Sequence, residues 1–243
     1  MSFFTLASVY DKINGKAYPQ YADMLCRAFS LADIPVREVL DLGCGTGGMA
    51  FLLAEKGHDM VALDSSPEML SLAAEKNVGN GVLLICRDMR DFELYGTVQA
   101  VYSSFDCLNY LVSDGDLEKV FSLVHLYLEP GGVFVFDVNT EYRYKNVFDG
   151  RSYVYEPGGE VFAVWCSACG GDGLCAFDID VFEKKKGTKL YARTHERMLQ
   201  RCYSEGEILS AAKGFSLVER SGGKGFDGCT APEKSYYILR RDP

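Results

Sequence analysis

The sequence predicts an α/β fold. It reads as a mostly parallel sheet covered by helices on both faces, plus a small antiparallel β insertion after strand 5. Three observations carry this. From residue 36 to residue 137, short and almost wholly apolar runs alternate with amphipathic helical stretches. Such runs suit parallel strands, which crossover helices bury on both faces. A glycine cluster from Gly43 to Gly48 follows the first run, and glycine lets a backbone turn sharply from strand to helix. After Asp137 the alternation stops, and turn signals recur at hairpin spacing.

The elements follow in order. Residues 1–35 read as helical and amphipathic. Tyr18, Tyr21, Ala22, Leu25 and Phe29 recur at helical spacing, and Pro19 suits a first turn. Val36 to Leu42 is the first strand. Met49, Leu52 and Leu53 share a face of the next helix, which Gly57 caps. Met60 to Leu63 is the second strand, and Ser66 caps a helix opening on Pro67. Val82 to Cys86 and Val98 to Tyr102 are the third and fourth strands. Leu117, Val120, Phe121 and Val124 form a helical stripe after Ser113-Asp114. The turn Pro130-Gly131-Gly132 leads into the fifth strand, Val133 to Phe136.

Beyond it, Pro157-Gly158-Gly159, Gly170-Gly171-Asp172-Gly173 and Lys186-Gly187 divide residues 140–201 into an antiparallel meander of about four strands. Ser204 to Lys213 returns to helix. Phe215 to Arg220 and Tyr236 to Arg240 are the closing strands. The expected organisation is one core, residues 1–139 and 202–243, carrying residues 140–201 as an insertion that does not fold alone.

Composition bounds the partners. The 243 residues suit one α/β domain, and 48% apolar with 24% charged residues is ordinary for a globular chain. The net charge is −9, and no Lys/Arg stripe offers a duplex a surface. Lys184-Lys185-Lys186, followed by Gly187, reads as a hairpin tip. Nucleic acid is therefore not an expected partner. No apolar run approaches the ~20 residues that span a bilayer. Met1-Ser2-Phe3-Phe4-Thr5 lacks the plan of a signal peptide. The expectation is a cytoplasmic protein without a membrane partner, as monomer or homodimer. Nine cysteines, an odd number, lie scattered through predicted strands and helices, so reduced and buried thiols are expected. Cys166-x-x-Cys169 with Cys175 lacks an adjacent fourth ligand, since Cys202 or His195 would have to fold back. No metal is expected.

The glycine loop admits two cofactor classes. Gly43, Gly45 and Gly48 satisfy the dinucleotide spacing. Asp41 weighs against that reading. A carboxylate two residues before the first glycine repels a pyrophosphate, whereas the ammonium of a sulfonium amino acid welcomes it. Asp64, ending the second strand, can accept both hydroxyls of a ribose, each charge-assisted bond contributing about 1.5–3 kcal/mol. Asp88 follows the third strand and can accept from an adenine amino group, with the Met89 amide donating to the ring. Asp88 also suits a solvated loop acid. Met69 can cover the purine, and equally suits a core position. Three acids at the ends of three successive strands are more specific than the glycine spacing.

On these residues the sequence resembles the class I S-adenosylmethionine-dependent methyltransferases. Val39 to Gly47 is similar to their first motif, Leu63-Asp64-Ser65-Ser66 to the second and Arg87-Asp88-Met89 to the third. Leu128-Glu129-Pro130-Gly131-Gly132 resembles the turn before their fifth strand. The resemblance implies an α/β, Rossmann-like, seven-stranded, mostly parallel sheet with its last strand antiparallel, with S-adenosyl-L-methionine as cofactor and S-adenosyl-L-homocysteine as product. It implies a site drawn from Tyr18, Asp41, Gly43, Cys44, Gly45, Asp64, Ser65, Met69, Asp88, Met89, Ser104 and Phe105.

The fourth strand ends without the Pro-Pro or Pro-Cys signatures of nucleic-acid methylation. Phe105-Asp106-Cys107-Leu108-Asn109-Tyr110-Leu111 instead resembles a bacterial small-molecule subgroup, which includes sugar-amine N-methyltransferases and glycine N-methyltransferase-like enzymes. Tyr10-Asp11 and Tyr18 are similar to that subgroup's N-terminal helices, which fold over the cofactor. His195-Glu196-Arg197 and Gly214-Phe215 are similar to its C-terminal part. The implied reaction is direct in-line methyl transfer to a small molecule, with amines favoured by the resemblance alone. Tyr10, Tyr18, Asp106 and His195 are the candidate bases. Each also suits a structural role: a cap over the cofactor, a helix N-cap or a strand histidine. The insertion, with Tyr153, Tyr155, Phe162, Trp165 and Phe177, is expected to arch over the carboxyl ends of the strands as an acceptor lid. The alternatives are a nicotinamide-dependent oxidoreductase and a non-catalytic adenosylmethionine-binding protein.

Overall fold

The central apolar runs hydrogen-bond side by side because each is buried on both faces. The computed structural model describes residue 7 and residues 9–156, 159–222 and 233–243. Its main sheet contains β1 (Glu38–Leu42), β2 (Asp59–Asp64), β3 (Leu83–Cys86), β4 (Val98–Ser103), β5 (Leu128–Asn139), β10 (Phe215–Gly222) and β11 (Lys234–Arg241). Their order is β10-β11-β5-β4-β1-β2-β3. β1 to β5 pair in parallel, and β11 runs antiparallel to both its neighbours. The predicted fold class is the observed one. β1 and β4 are neighbours whose chains continue in opposite directions across the sheet. Such a switch point opens a crevice at the carboxyl ends of the strands.

The period of two along each strand divides the core. Val39 and Val135 face α2 (Tyr18–Phe29) and α3 (Gly48–Glu55), against Tyr21, Leu25 and Leu53. Leu40, Phe134 and Phe136 face the other way, against Val120 and Phe121 of α5 (Asp116–Tyr127) and Ile208 of α6 (Glu205–Ala211). α4 (Pro67–Lys76) starts as expected, with the Ser66 hydroxyl accepting the Met69 N–H. Gly57 has φ +97 just past α3, the left-handed stop expected there.

The second sheet, in the order β6 (Ser152–Tyr155), β7 (Val161–Cys169), β8 (Leu174–Lys184) and β9 (Tyr191–Arg201), is an antiparallel meander. Its inner residues Ala163, Ile179, Val181 and Met198 cluster with Val9 and with Met69 of α4. That shared apolar contact holds the sheet over the carboxyl ends of the main one.

Several local expectations change. The N-terminal helical stretch is two helices, α1 (Tyr10–Asn14) and α2, broken at residues 15–17, and residues 30–35 are not helical. Pro19 explains the break, because proline inside a continuous helix would clash with the carbonyl four residues before it. The readings on residues 1–6 and 8, on Pro157-Gly158 and on Cys229 lie outside the described residues. Pro130-Gly131-Gly132 is a bulge within β5 rather than a turn ahead of it. The register jumps there from Val98↔Leu128 to Ala100↔Val133, and the Gly131 carbonyl accepts the Asp33 N–H at 2.9 Å.

The cysteines also depart from expectation. Cys169 and Cys175 are joined as a disulfide, not left as thiols, and Cys86 and Cys166 are exposed. The register explains the bond. Cys169 and Cys175 are paired directly across β7 and β8, which places their side chains on one face.

Candidate active site

The loop after β1 is shaped by where its amides go. The Gly43 and Cys44 N–H groups both donate to the Leu63 carbonyl, at 2.8 and 2.9 Å. This folds the loop across the end of β2. Gly43 and Gly45 take φ of +91 and +53 to do so. A Cβ on Gly43 would lie 2.2 Å from Cys107 Sγ, so only glycine keeps this cradle open.

Asp64 fixes the loop from below. Its Oδ2 accepts the Gly45 N–H and its Oδ1 the Ser66 N–H, both at 2.8 Å. Burial raises its pKa, while the same amides pull it down. Each oxygen keeps one lone pair for a ligand, which suits a diol.

Asp41 sits deeper. Tyr102 donates to Asp41 Oδ2 at 2.5 Å, and the buried Asp41 Oδ1 has no hydrogen-bond partner among the described residues. Burial pushes its carboxyl up to about 8; the Tyr102 bond opposes this and Asp64 adds to it. A buried acceptor left unmatched is costly. Its completion by a cationic ligand group fits the adenosylmethionine reading and not a pyrophosphate.

The other predicted cofactor residues divide. Met69, Ser104 and Phe105 line the same cavity as Gly43, Gly45 and Asp64. Cys44 is buried behind the loop, and Ser65 is exposed at the end of β2. Met89 reaches the Gly43 side of the loop. Asp88 is not among the residues lining the cavity. Arg90 holds both its oxygens, Nε on Oδ1 at 2.9 Å and Nη2 on Oδ2 at 2.6 Å, and also pairs with Asp116. The Arg90 hydrogen bonds keep the Asp88 carboxyl below its usual range.

Tyr18 lies against the loop rather than in the cavity. A Cβ on Gly48 would meet its ring at 2.4 Å, and its hydroxyl donates to Asp11 at 3.0 Å. Asp11 also accepts from Thr46 and Lys76. Burial raises the Asp11 pKa, but these bonds outweigh it and leave the carboxyl below its usual range. The N-terminal helices are thereby tied to the glycine loop and to α4.

The cavity, of about 490 Å³, is continuous from the glycine loop to the inner face of the second sheet, where Trp165, Phe177, Ile179 and Met198 line it. Tyr10, Asp106, Cys107 and Tyr110 stand at the junction. Burial raises the Tyr10 and Tyr110 phenols and the Cys107 thiol, with neighbouring ionisable groups adding to each rise. All three are therefore neutral near pH 7 and serve as hydrogen-bonding or packing groups.

His195 is not brought to the cavity. Ile179, a lining residue, pairs with Glu196, so the adjacent pair Asp180↔His195 faces the opposite side of the sheet. There His195 Nδ1 is 3.0 Å from Asp180.

Sequence reasoning missed the group beneath the junction. Phe105 and Asp106 are consecutive non-glycine residues at φ +58 and +53. Asp106 Oδ1 accepts from Lys234 Nζ and Oδ2 from Gln200 Nε2, both at 2.8 Å. Lys234 also donates to the fully buried Asp137 at 2.7 Å, and Tyr21 donates to Asp137 at 2.5 Å. Arg143 and Glu233 also line the cavity, with Arg143 Nε 3.6 Å from Glu233 Oε2. The available signal was a lysine opening an otherwise apolar strand, Lys234-Ser235-Tyr236-Tyr237-Ile238-Leu239.

Comparison with known proteins agrees with this geometry. The sequence profile of the family described as a methyltransferase domain matches residues 39–132. YqeM of Bacillus subtilis (strain 168), whose name assigns it provisionally to the methyltransferases, is 32% identical over 223 residues, 89% of this chain and 87% of that protein. A crystal structure of a S-adenosylmethionine-dependent methyltransferase from Clostridium acetobutylicum superposes with a TM-score of 0.85 over 98% of each chain, at 27% identity. The S-adenosylmethionine-bound amino pentose methyltransferase CalS10 from Micromonospora echinaspora gives 0.77 over 96% of this chain and 95% of that one. At 22% identity that is a likeness of fold.

Proposed function

The chain belongs to the class I S-adenosylmethionine-dependent methyltransferases, and from that premise we propose that it methylates a small amine held between the glycine loop and the four-stranded sheet. Membership of this family removes the nicotinamide oxidoreductase alternative. The observation that carries the proposal is the continuous cavity, which joins Gly43, Gly45 and Asp64 to Trp165, Phe177 and Met198.

When bound, S-adenosylmethionine supplies a sulfonium methyl that is already activated. The chain's residues then have three tasks. Gly43, Gly45 and Asp64 hold the ribose end, and Asp41 receives the ammonium. Met69, Met89, Ser104 and Phe105 border the cofactor side, Tyr18 and Cys44 support the loop, and Ser65 and Asp88 flank it. Tyr10, Asp106 and Tyr110 face the acceptor. Neutral phenols do not abstract protons at neutral pH, so the chief contribution is orientation, which supplies up to ~7–11 kcal/mol in favourable cases. Asp106, with one lone pair free on each oxygen, suits the N–H of a neutral amine, whose nitrogen lone pair forms the new bond to the methyl carbon and whose proton leaves to solvent afterwards.

Residues 140–201 serve as the acceptor lid on the core formed by residues 1–139 and 202–243. A sheet roofing the cavity suits a metabolite better than a duplex, as does the net charge of −9. Among the described residues no helix is long and apolar enough to cross a membrane. The proposal includes a cytoplasmic location and a monomer or homodimer.

Incubation with isotopically labelled S-adenosylmethionine and separate panels of small amines, alcohols, carboxylic acids and nucleic acids tests the proposal by mass spectrometry. A labelled product among the amines is expected. Product only in another panel would overturn the amine assignment, and cofactor binding without any product would favour the non-catalytic alternative.

A further inference from the structure

Lys234 opens β11, the last strand, and its side chain is 1% exposed. A buried ammonium is costly unless charges and hydrogen bonds surround it. Here it lies between two carboxylates, Asp106 Oδ1 at 2.8 Å and Asp137 Oδ2 at 2.7 Å. Asp137 is fully buried near the end of β5, while Asp106 is partly open to the cavity. The Asp106 N–H also donates to Asp137 Oδ2 at 2.9 Å. One lysine thus joins a rigid strand end to the backbone and side chain of a loop.

That loop needs holding. Phe105 and Asp106 are non-glycine residues in the left-handed region, each disfavoured unless its surroundings compel it. The turn lets the Phe105 ring stack on Tyr21, with centroids 5.2 Å apart, while Asp106 stands at the cavity junction. Lys234 does not itself line the cavity. Among the described residues two carboxylates, Asp106 and Asp137, flank this ammonium, a setting that favours the positive charge developing on an amine beside Asp106 as it is methylated.

We propose that Lys234 is a positioning residue for methyl transfer, clamping Asp106 to Asp137 and so holding the left-handed Phe105–Asp106 turn that presents Asp106 to the acceptor. The clamp acts through Asp106 and Asp137, neither of which is on the glycine loop. It rests on the reading that the Asp106 end of the cavity receives the acceptor.

The test compares the full chain with Lys234→Met, each saturated with S-adenosylhomocysteine. Amide exchange across residues 103–110 is expected to accelerate by about tenfold or more, with β1 and β2 unchanged. Calorimetric affinity for S-adenosylhomocysteine is expected to fall less than kcat, because Ser104 and Phe105 of this turn border the cofactor while Asp41, Gly43 and Asp64 stand on other elements. With an amine that the wild-type chain methylates, kcat is expected to fall about tenfold or more. Unchanged exchange in 103–110, or acceleration spread evenly over both sheets, would overturn the proposal.

Should Lys234→Met fail to fold, Lys234→Gln removes the ammonium while keeping a polar side chain, and the exchange result there decides. If no amine turns over in the wild-type chain, the amine reading fails, while the exchange experiment still judges the clamp.

Discussion

Asp64 Oδ2 accepts the backbone N–H of Gly45 at 2.8 Å, so the last residue of the second strand fixes the loop that leaves the first. The carboxylate proposed to hold the ribose is also the one that shapes the loop. Replacement of Asp64 by Ala is therefore expected to remove both functions. Calorimetry should show S-adenosylmethionine affinity down by tenfold or more, about 1.4 kcal/mol. Unaltered affinity would count against the site as drawn.

Gly43 tolerates no side chain. Its φ of +91 is in the left-handed region, and a Cβ would come 2.2 Å from Cys107 Sγ. Gly43→Ala is expected to cost about 1–3 kcal/mol of stability from backbone strain alone. Thermal melting should report it, and cofactor binding should weaken with it. A variant that melts and binds as the parent does would refute the cradle.

The Asp41 carboxyl, raised to about 8 by burial, makes both stability and binding pH-dependent. Between the unfolded value near ~3.9 and about 8, the folded chain holds a proton that the unfolded chain has released. Stability of the ligand-free protein should thus be fullest below ~4 from this group and decline as pH rises toward 8. A cationic partner at Asp41 Oδ1 favours the ionised form. Binding of S-adenosylmethionine should then release a proton below pH 8 and tighten as pH rises to that point. Calorimetry at pH 7 in buffers of different ionisation enthalpy should detect the proton. Asp41→Asn should abolish it, and persistence of the proton in that variant would assign it elsewhere.

Opposite faces of the second sheet should respond oppositely. Trp165 lines the cavity and packs edge-on against Tyr155, with centroids 4.7 Å apart. Trp165→Ala is expected to raise the acceptor KM about fivefold or more and leave cofactor affinity within about twofold. His195→Ala, on the outer face, should keep kcat and KM within about twofold. Loss of turnover on removing His195 would count against its placement outside the site.

Much was legible before folding. Strand alternation followed from apolar runs with no polar face, and the meander followed from glycine turns at hairpin spacing. That Asp41, Gly43, Gly45 and Asp64 stand at strand ends was legible because they adjoin apolar runs whose order along the chain is fixed. The limits have physical causes too. Asp88 stands at the right place in the chain, yet Arg90, two residues on, holds its carboxylate. His195 and Glu196 are adjacent, but a strand sends neighbours to opposite faces, and register alone decides which face is inward.

What the sequence determined by itself is local or periodic: the layering, the cofactor loop, the chemical class of donor. What only the tertiary structure decided is which distant residues share one volume. Lys234, 97 positions from Asp137 and 128 from Asp106, reaches both because β11 inserts beside β5 in antiparallel register, pairing Lys234 with Asn139. No spacing rule along the chain encodes that pairing. It follows from which strand edges were left to pair and which side chains could be buried together.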